Sequence, residues 1–303
     1  MNDQPEPPEP SAQLDSRYVE ARRVLLDALT ALAPHGRAFI VAGAQAVYLH
    51  TGEADLAIAP FTTDADLALD PTLLSEEPKL EPAMTAAGFR LLPVDDHVEP
   101  GVWVTPAEID GVEALVPVDL IVPEGAASGG GRRGARLGAH GKRAARRAVG
   151  LEAALVDHST VRISALDPED GRSVEAEVAG PAALFVAKAH KLHDRAASGR
   201  TDRLDDKDAA DVVRLMQTTS APKVGATFTA LSRHPIAGPS SIDALTYIDE
   251  LFGRRGRLGI EMASRALRLG MPKESIEALC TAFTGSLLRS ARPGDQPPDL
   301  PNE

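Results

Sequence analysis

Cysteine is almost missing: Cys280 is the single one in 303 residues, which excludes an internal disulfide or a cysteine-rich zinc site and fits a reducing compartment. Aromatic side chains make up only 4%, with one tryptophan, so alanine, leucine and valine must fill any core the chain buries. No run approaches the ~18 apolar residues of a membrane span. The acidic, proline-rich start MNDQPEPPEP has no apolar segment of the secretory kind. These absences predict a cytoplasmic protein without a membrane partner. Positive charge is also short: 32 Lys and Arg against 44 Asp and Glu leave a net charge of −12, which argues against a protein that coats nucleic acid through its overall field.

At 43% apolar, a chain of this length can bury a sizeable core and hold two domains. Residues 1–14 and 291–303 have the composition of polar tails. From Ser16, a possible-cap residue type, Val19, Leu25, Leu26, Leu29 and Leu32 recur near helical spacing, and Pro34 and Gly36 stop the pattern. A short apolar strand at 39–42 then runs through Gly43 into a helix. A third helix ends at Gly88, and strands follow at 89–92, 102–105 and 116–122. Trp103, among valines, reads as core or rim packing. Two more strands, VRISALD and SVEAEVAG, flank the turn PEDG. Pro181 opens a helix, and helical patterns separated by Gly and Pro continue to about residue 288. The fold class expected is α+β, a mixed sheet flanked by helices over 15–180, followed by a helical domain over 181–290.

The chemistry gathers at TTDADLALD, residues 62–70. Strand alternation puts Asp64 and Asp66 on one face, where two carboxylates repel unless a cation relieves them, and hard oxygen ligands favour Mg2+ or Mn2+. The plainer alternative is a solvated edge strand. Upstream, the glycine corner at Gly43 and Ala44 exposes backbone N–H groups at a helix start, a seat for phosphate. Downstream, VPVDLIVPE buries Asp119 in an apolar strand, a costly place for an unpaired carboxylate. A Gly/Arg-rich loop at 125–148 carries Arg132, Arg133, Arg136, Lys142, Arg143, Arg146 and Arg147 with no acid among them. It could neutralise a phosphate backbone, or pair with the protein's own acids. Its end, RAARRAVGLEAALV, could start a helix. The pair His190 and His193 lacks a third ligand and reads as surface or cap histidines.

The order of glycine corner, D-x-D and third aspartate resembles the nucleotidyltransferase fold of the DNA polymerase beta superfamily. FVAKAHKLHDR followed by DDKDAADVVRL is similar to the second half of AbiEii-type abortive-infection nucleotidyltransferases. Two features depart from that pattern: Ala44 stands where many members have Gly, Ser or Thr, and the spacer to Asp64 is long, as if a turn were inserted at 53–60. The resemblance implies Asp64, Asp66 and Asp119 as metal ligands and catalytic residues, Lys188 on the triphosphate, and Asp208, with Asp211 on the same helix face, as the acids that pair with or position Lys188. It implies a nucleoside triphosphate as substrate and a toxin or defence enzyme acting on tRNA or protein, with a cognate antitoxin as a further partner. Two rival readings are a transferase for a small hydroxyl compound such as an aminoglycoside, and a catalytically silent nucleotide-binding relative.

Overall fold

The structure, a computed structural model, describes residues 14–52, 62–127, 134–198 and 206–291. The expected tails therefore fall almost wholly outside the described residues, as do the turn at 53–60 and Arg132 and Arg133.

Helix α1 (Ser16–Leu32) begins at Asp15, whose carboxylate accepts from the Arg17 amide at 2.9 Å. Asp15 is thus the cap, in place of Ser16, whose hydroxyl instead donates to Asp110 at 2.6 Å. Strand β1 (Phe39–Ala42) feeds α2 (Gly43–Thr51), and β2 (Ala65–Leu69) carries the second D-x-D acid. Helix α3 (Leu80–Ala86) is shorter than its pattern suggested because Lys79 is extended at its cap. The strands expected at 102–105 and 116–122 are pieces of one long hairpin. After β3 (Arg90–Val94), β4 (His97–Ile109) and β5 (Val112–Pro123) turn at Asp110 and Gly111, with φ of 52° and 77°. Two positive φ angles at an Asp-Gly pair make the tight turn that matches strand twist.

The basic stretch behaves as neither loop nor helix where it meets the sheet. Residues Arg146–Ala148 form β6, parallel to β5 with Arg146 beside Ile121. Backbone pairing explains this correction: Gly101 N–H donates to Arg143 O at 2.8 Å, Trp103 Nε1–H to Ala144 O at 2.9 Å and Ala135 N–H to Ala145 O at 2.9 Å. Gly101 sits at φ +74°, and a Cβ there would lie 2.7 Å from the Leu120 carbonyl oxygen.

Strands β7 (His158–Ser164) and β8 (Ser173–Ala179) complete a mixed eight-stranded sheet of order β3-β4-β5-β2-β1-β8-β7, with β6 on β5. The protein is α+β. Helices α4 (Pro181–Ala197), α5 (Asp206–Thr218), α6 (Ala221–Leu231), α7 (Gly238–Phe252), α8 (Leu258–Ala266) and α9 (Lys273–Ser290) follow, and α4 and α5 pack on α2. Small apolar side chains do fill the core; the few rings sit deep, including Trp103, and Phe185 stacks on Phe283 with centroids 5.4 Å apart. Among the described residues no helix is long and apolar enough to cross a membrane.

Because backbone closes around Gly101 on both sides, Gly101→Ala should cost roughly 2–4 kcal/mol from the left-handed φ and overpacking combined. Chemical denaturation should show the lowered midpoint, and loss of amide protection at residues 143–148 should accompany it.

Candidate active site

Sheet register assembles the acidic centre. Ala42 on β1 pairs with Asp66 on β2, and Asp66 pairs with Asp119 on β5, so the two carboxylates share one face of neighbouring strands. Chain distance between them is irrelevant once this parallel pairing forms. Asp64, the residue before β2, accepts a hydrogen bond from the buried Thr62 hydroxyl, and its charge is felt at Asp66. Gly43 has to be glycine: its φ is +61°, and a Cβ on it would lie 2.9 Å from the Asp66 carboxyl carbon. The close approach sets the Asp66 carboxylate against the first turn of α2, whose cap residue Ala42 offers no side-chain partner to the free N–H groups.

The electrostatics follow from this crowding. Burial and then the charge of Asp64 raise the Asp66 carboxyl above the usual carboxylate range. Burial and then the charge of Asp66 push Asp119 up to about 6, against the pull of Arg146. Arg146 places both Nε, at 3.1 Å, and Nη2, at 2.6 Å, on Asp119 Oδ2.

A second cluster joins α4 to α5. Lys188, 3% exposed, donates to Asp208 at 2.7 Å and to Asp211 at 2.6 Å. Burial works against its charge, yet the two carboxylates hold the ammonium well above its ordinary value. Asp208 also takes Arg195 at 2.7 Å and Lys191 at 3.1 Å. Despite burial, these cations keep its carboxyl well below the ordinary range. The geometry brings together what the resemblance implied: Asp208 and Asp211 are the acids that pair with Lys188, whose ammonium is committed to both. The exposed cations on that helix face are Lys191 and Arg195.

Both clusters border one cavity of about 410 Å³, lined by Gly43, Asp66, Arg146, Lys188, Lys191 and Arg195, with an apolar shelf of Ile121, Val149 and Leu151. Spacing could have flagged the cations, since residues 188, 191 and 195 recur at helical intervals. Lys207, missed from sequence, has its ammonium lowered by burial, against the opposing pull of Asp64 and then Asp211. It stands directly before Asp208 in the K-D-x-x-D run, but its approach to Asp64, far away in the chain, is set by tertiary structure alone.

The basic stretch divides. Arg143 pairs with Glu81 at 3.0 Å, Arg146 with Asp119 and Arg147 with Glu124 at 3.1 Å, while Arg136 and Lys142 are exposed. Of the two readings of this stretch, three of its described cations follow the second and pair with the protein's own acids. His190 is not at the surface as expected but buried, with Nε2 against Ser240 O at 2.8 Å, because α7 packs over α4; His193 stacks on Tyr247 with centroids 3.7 Å apart.

The donor chemistry of Asp64, Asp66 and Asp119 fits an oxygen-seeking divalent ion, since burial and then mutual repulsion already raise two of the three carboxyls. Among the described residues, however, no group of three or more acid, histidine or cysteine side chains is closed into a ligand set. Thr62 and Arg146 occupy oxygens that such a set would use. Comparison with protein-family models, with curated proteins and with solved structures finds no match to this chain.

Two outcomes follow. Lys188→Met leaves Asp208 and Asp211 buried with less counter-charge and should cost about 3–5 kcal/mol, read by urea denaturation. Because Asp119 holds its proton in the folded state up to about 6 while an unfolded carboxyl releases it near ~4, its contribution to stability falls as pH rises through that window. The melting temperature of Asp119→Asn relative to wild type should accordingly rise between pH 4 and pH 6.

Proposed function

We propose that this chain is a divalent-metal-dependent nucleotidyltransferase of AbiEii type, moving a nucleoside monophosphate from a nucleoside triphosphate to a hydroxyl acceptor. The observation that carries the reading is the pairing of Asp66 with Asp119 on neighbouring strands, with Asp66 pressed against Gly43 at the start of α2 and lining a cavity walled by cations. Repelling carboxylates beside a ring of lysine and arginine suit a substrate that brings both phosphate and metal.

Asp64, Asp66 and Asp119 would hold Mg2+ or Mn2+, which when bound supplies charge neutralisation for the triphosphate and a lower pKa for the acceptor hydroxyl. Lys191 and Arg195 bind the β- and γ-phosphates, and the amides that open α2 add backbone donors. Lys188 keeps Asp208 neutralised, so that Arg195 and Lys191 are held at the cleft edge. The base or sugar lies over Ile121, Val149 and Leu151. The acceptor oxygen attacks the α-phosphorus, the bond to the β-phosphate oxygen breaks, pyrophosphate leaves, and Asp119 takes the acceptor proton.

The cavity wall bears on the acceptor. Arg146, Lys188, Lys191 and Arg195 outnumber Asp66 and Asp194 there, which favours a polyanionic acceptor such as tRNA over an aminoglycoside, whose ammonium groups would want acids. A toxin role with a partner antitoxin belongs to the same proposal. The Arg146–Asp119 ion pair supports a second reading, nucleotide binding without turnover, because an arginine can supply the positive charge a metal would bring.

The test is incubation with labelled nucleoside triphosphates, Mg2+ and total RNA or protein. Label should enter one macromolecule, and Asp66→Asn should reduce that on the order of 10³-fold with the melting temperature unchanged or raised, since a repulsion is relieved. Equal labelling by wild type and Asp66→Asn would sink the assignment, and metal-independent binding without label would favour the silent reading.

A further inference from the structure

Arg146 is the one arginine among the described residues set between the carboxylate row and the cavity. Strand β6 places it there: pairing with Ile121 puts Arg146 two residues along β5 from Asp119, and the guanidinium reaches back so that both Nε and Nη2 converge on the single oxygen Oδ2. Its side chain is 28% exposed, and the exposed part faces the cavity that Lys191 and Arg195 also line. Asp119, Asp66 and Glu99 all raise its own ionisation, so the guanidinium is the standing counter-charge of this acidic patch.

Resting on the nucleotidyltransferase reading, we propose that Arg146 is a positioning residue that makes metal binding depend on nucleotide. With the cavity empty of nucleotide, Arg146 occupies the Asp119 oxygen a divalent ion would need, and its charge opposes the ion's approach to Asp66. A triphosphate entering along Lys191 and Arg195 offers phosphate oxygens that match the planar guanidinium fork at least as well as one carboxylate oxygen does. The side chain exchanges Asp119 for phosphate, and the carboxylate becomes available to the ion that accompanies the triphosphate. Only the side chain needs to turn, because β6 is held by its backbone pairing to β5. The charge count favours this order: cation and triphosphate entering together disturb the acidic row less than an ion displacing an arginine unaided.

Linkage makes the claim measurable, since two ligands that favour the same arrangement must strengthen each other equally. Mn2+ binding, followed by electron paramagnetic resonance and by calorimetry on the full chain, should be weak for wild type alone. It should tighten by about 10-fold or more with a non-hydrolysable triphosphate analogue. Arg146→Gln should bind Mn2+ without nucleotide about 10-fold more tightly than wild type and lose most of the coupling. Arg146→Lys, which keeps the charge but not the fork, should bind nucleotide-free Mn2+ as weakly as wild type and tests the idea even if the glutamine variant does not fold. Equal nucleotide-free Mn2+ affinity in wild type and a folded Arg146→Gln overturns the gating role while leaving the transferase reading intact. So does full coupling that persists in that variant, or nucleotide-free Mn2+ binding by Arg146→Lys about 10-fold tighter than wild type. No Mn2+ binding by any protein, with or without nucleotide, overturns both.

Discussion

Negative charge packed onto adjacent strands is the constraint around which this molecule is arranged. Asp66 and Asp119 face the same way at paired positions, with Asp64 adding its field, and an apolar sheet surrounds them. Carboxylates in such a place are tolerated only when positive charge is close, because a low-dielectric interior magnifies repulsion that water would damp. The neighbouring architecture supplies that charge from several directions. β6 brings Arg146, α4 brings Lys188 and Lys191, and α5 brings Lys207.

The helices after residue 180 are tied to the sheet by the same economy of charge. Lys188 is sealed between Asp208 and Asp211, and a buried pair of this kind holds α4 and α5 in one relative placement because separating them would strand ions away from water. Asp208 then has capacity left for Lys191 and Arg195, which sit nearer solvent. A buried charged centre thereby fixes Lys191 and Arg195 beside a cavity that Asp66 also lines. Cavity, cations and acids form one electrostatic unit assembled from four parts of the chain.

Much of the fold was legible from periodicity and punctuation. Pro181 starts α4, the glycine corner leads from β1 to α2, and the valine-rich run around Asp119 is a buried strand. Reading failed where backbone partners lie far off in sequence. Residues 143–148 look like a basic loop or a helix start, yet Gly101 and Trp103 capture their carbonyls and turn the end of the stretch into a strand. The Asp110–Gly111 dipeptide is a hairpin signal that went unread, and the hairpin's length depended on the pairing of β4 with β3 and β5.

Within the site, the sequence by itself determined the cast: Gly43, the D-x-D acids, Asp119 in an apolar strand, and cations at helical spacing on α4. Residue type and local period decide those things, since they depend on neighbours within a few positions. Tertiary structure alone decided the pairings. It set Asp119 beside Asp66, held Lys188 between two carboxylates, drew Lys207 toward Asp64, and chose Asp119 as the acid that Arg146 pairs with. Electrostatic partnership runs through space and not along the chain, so strand register and helix packing had to exist before any of these charges could find the one that balances it.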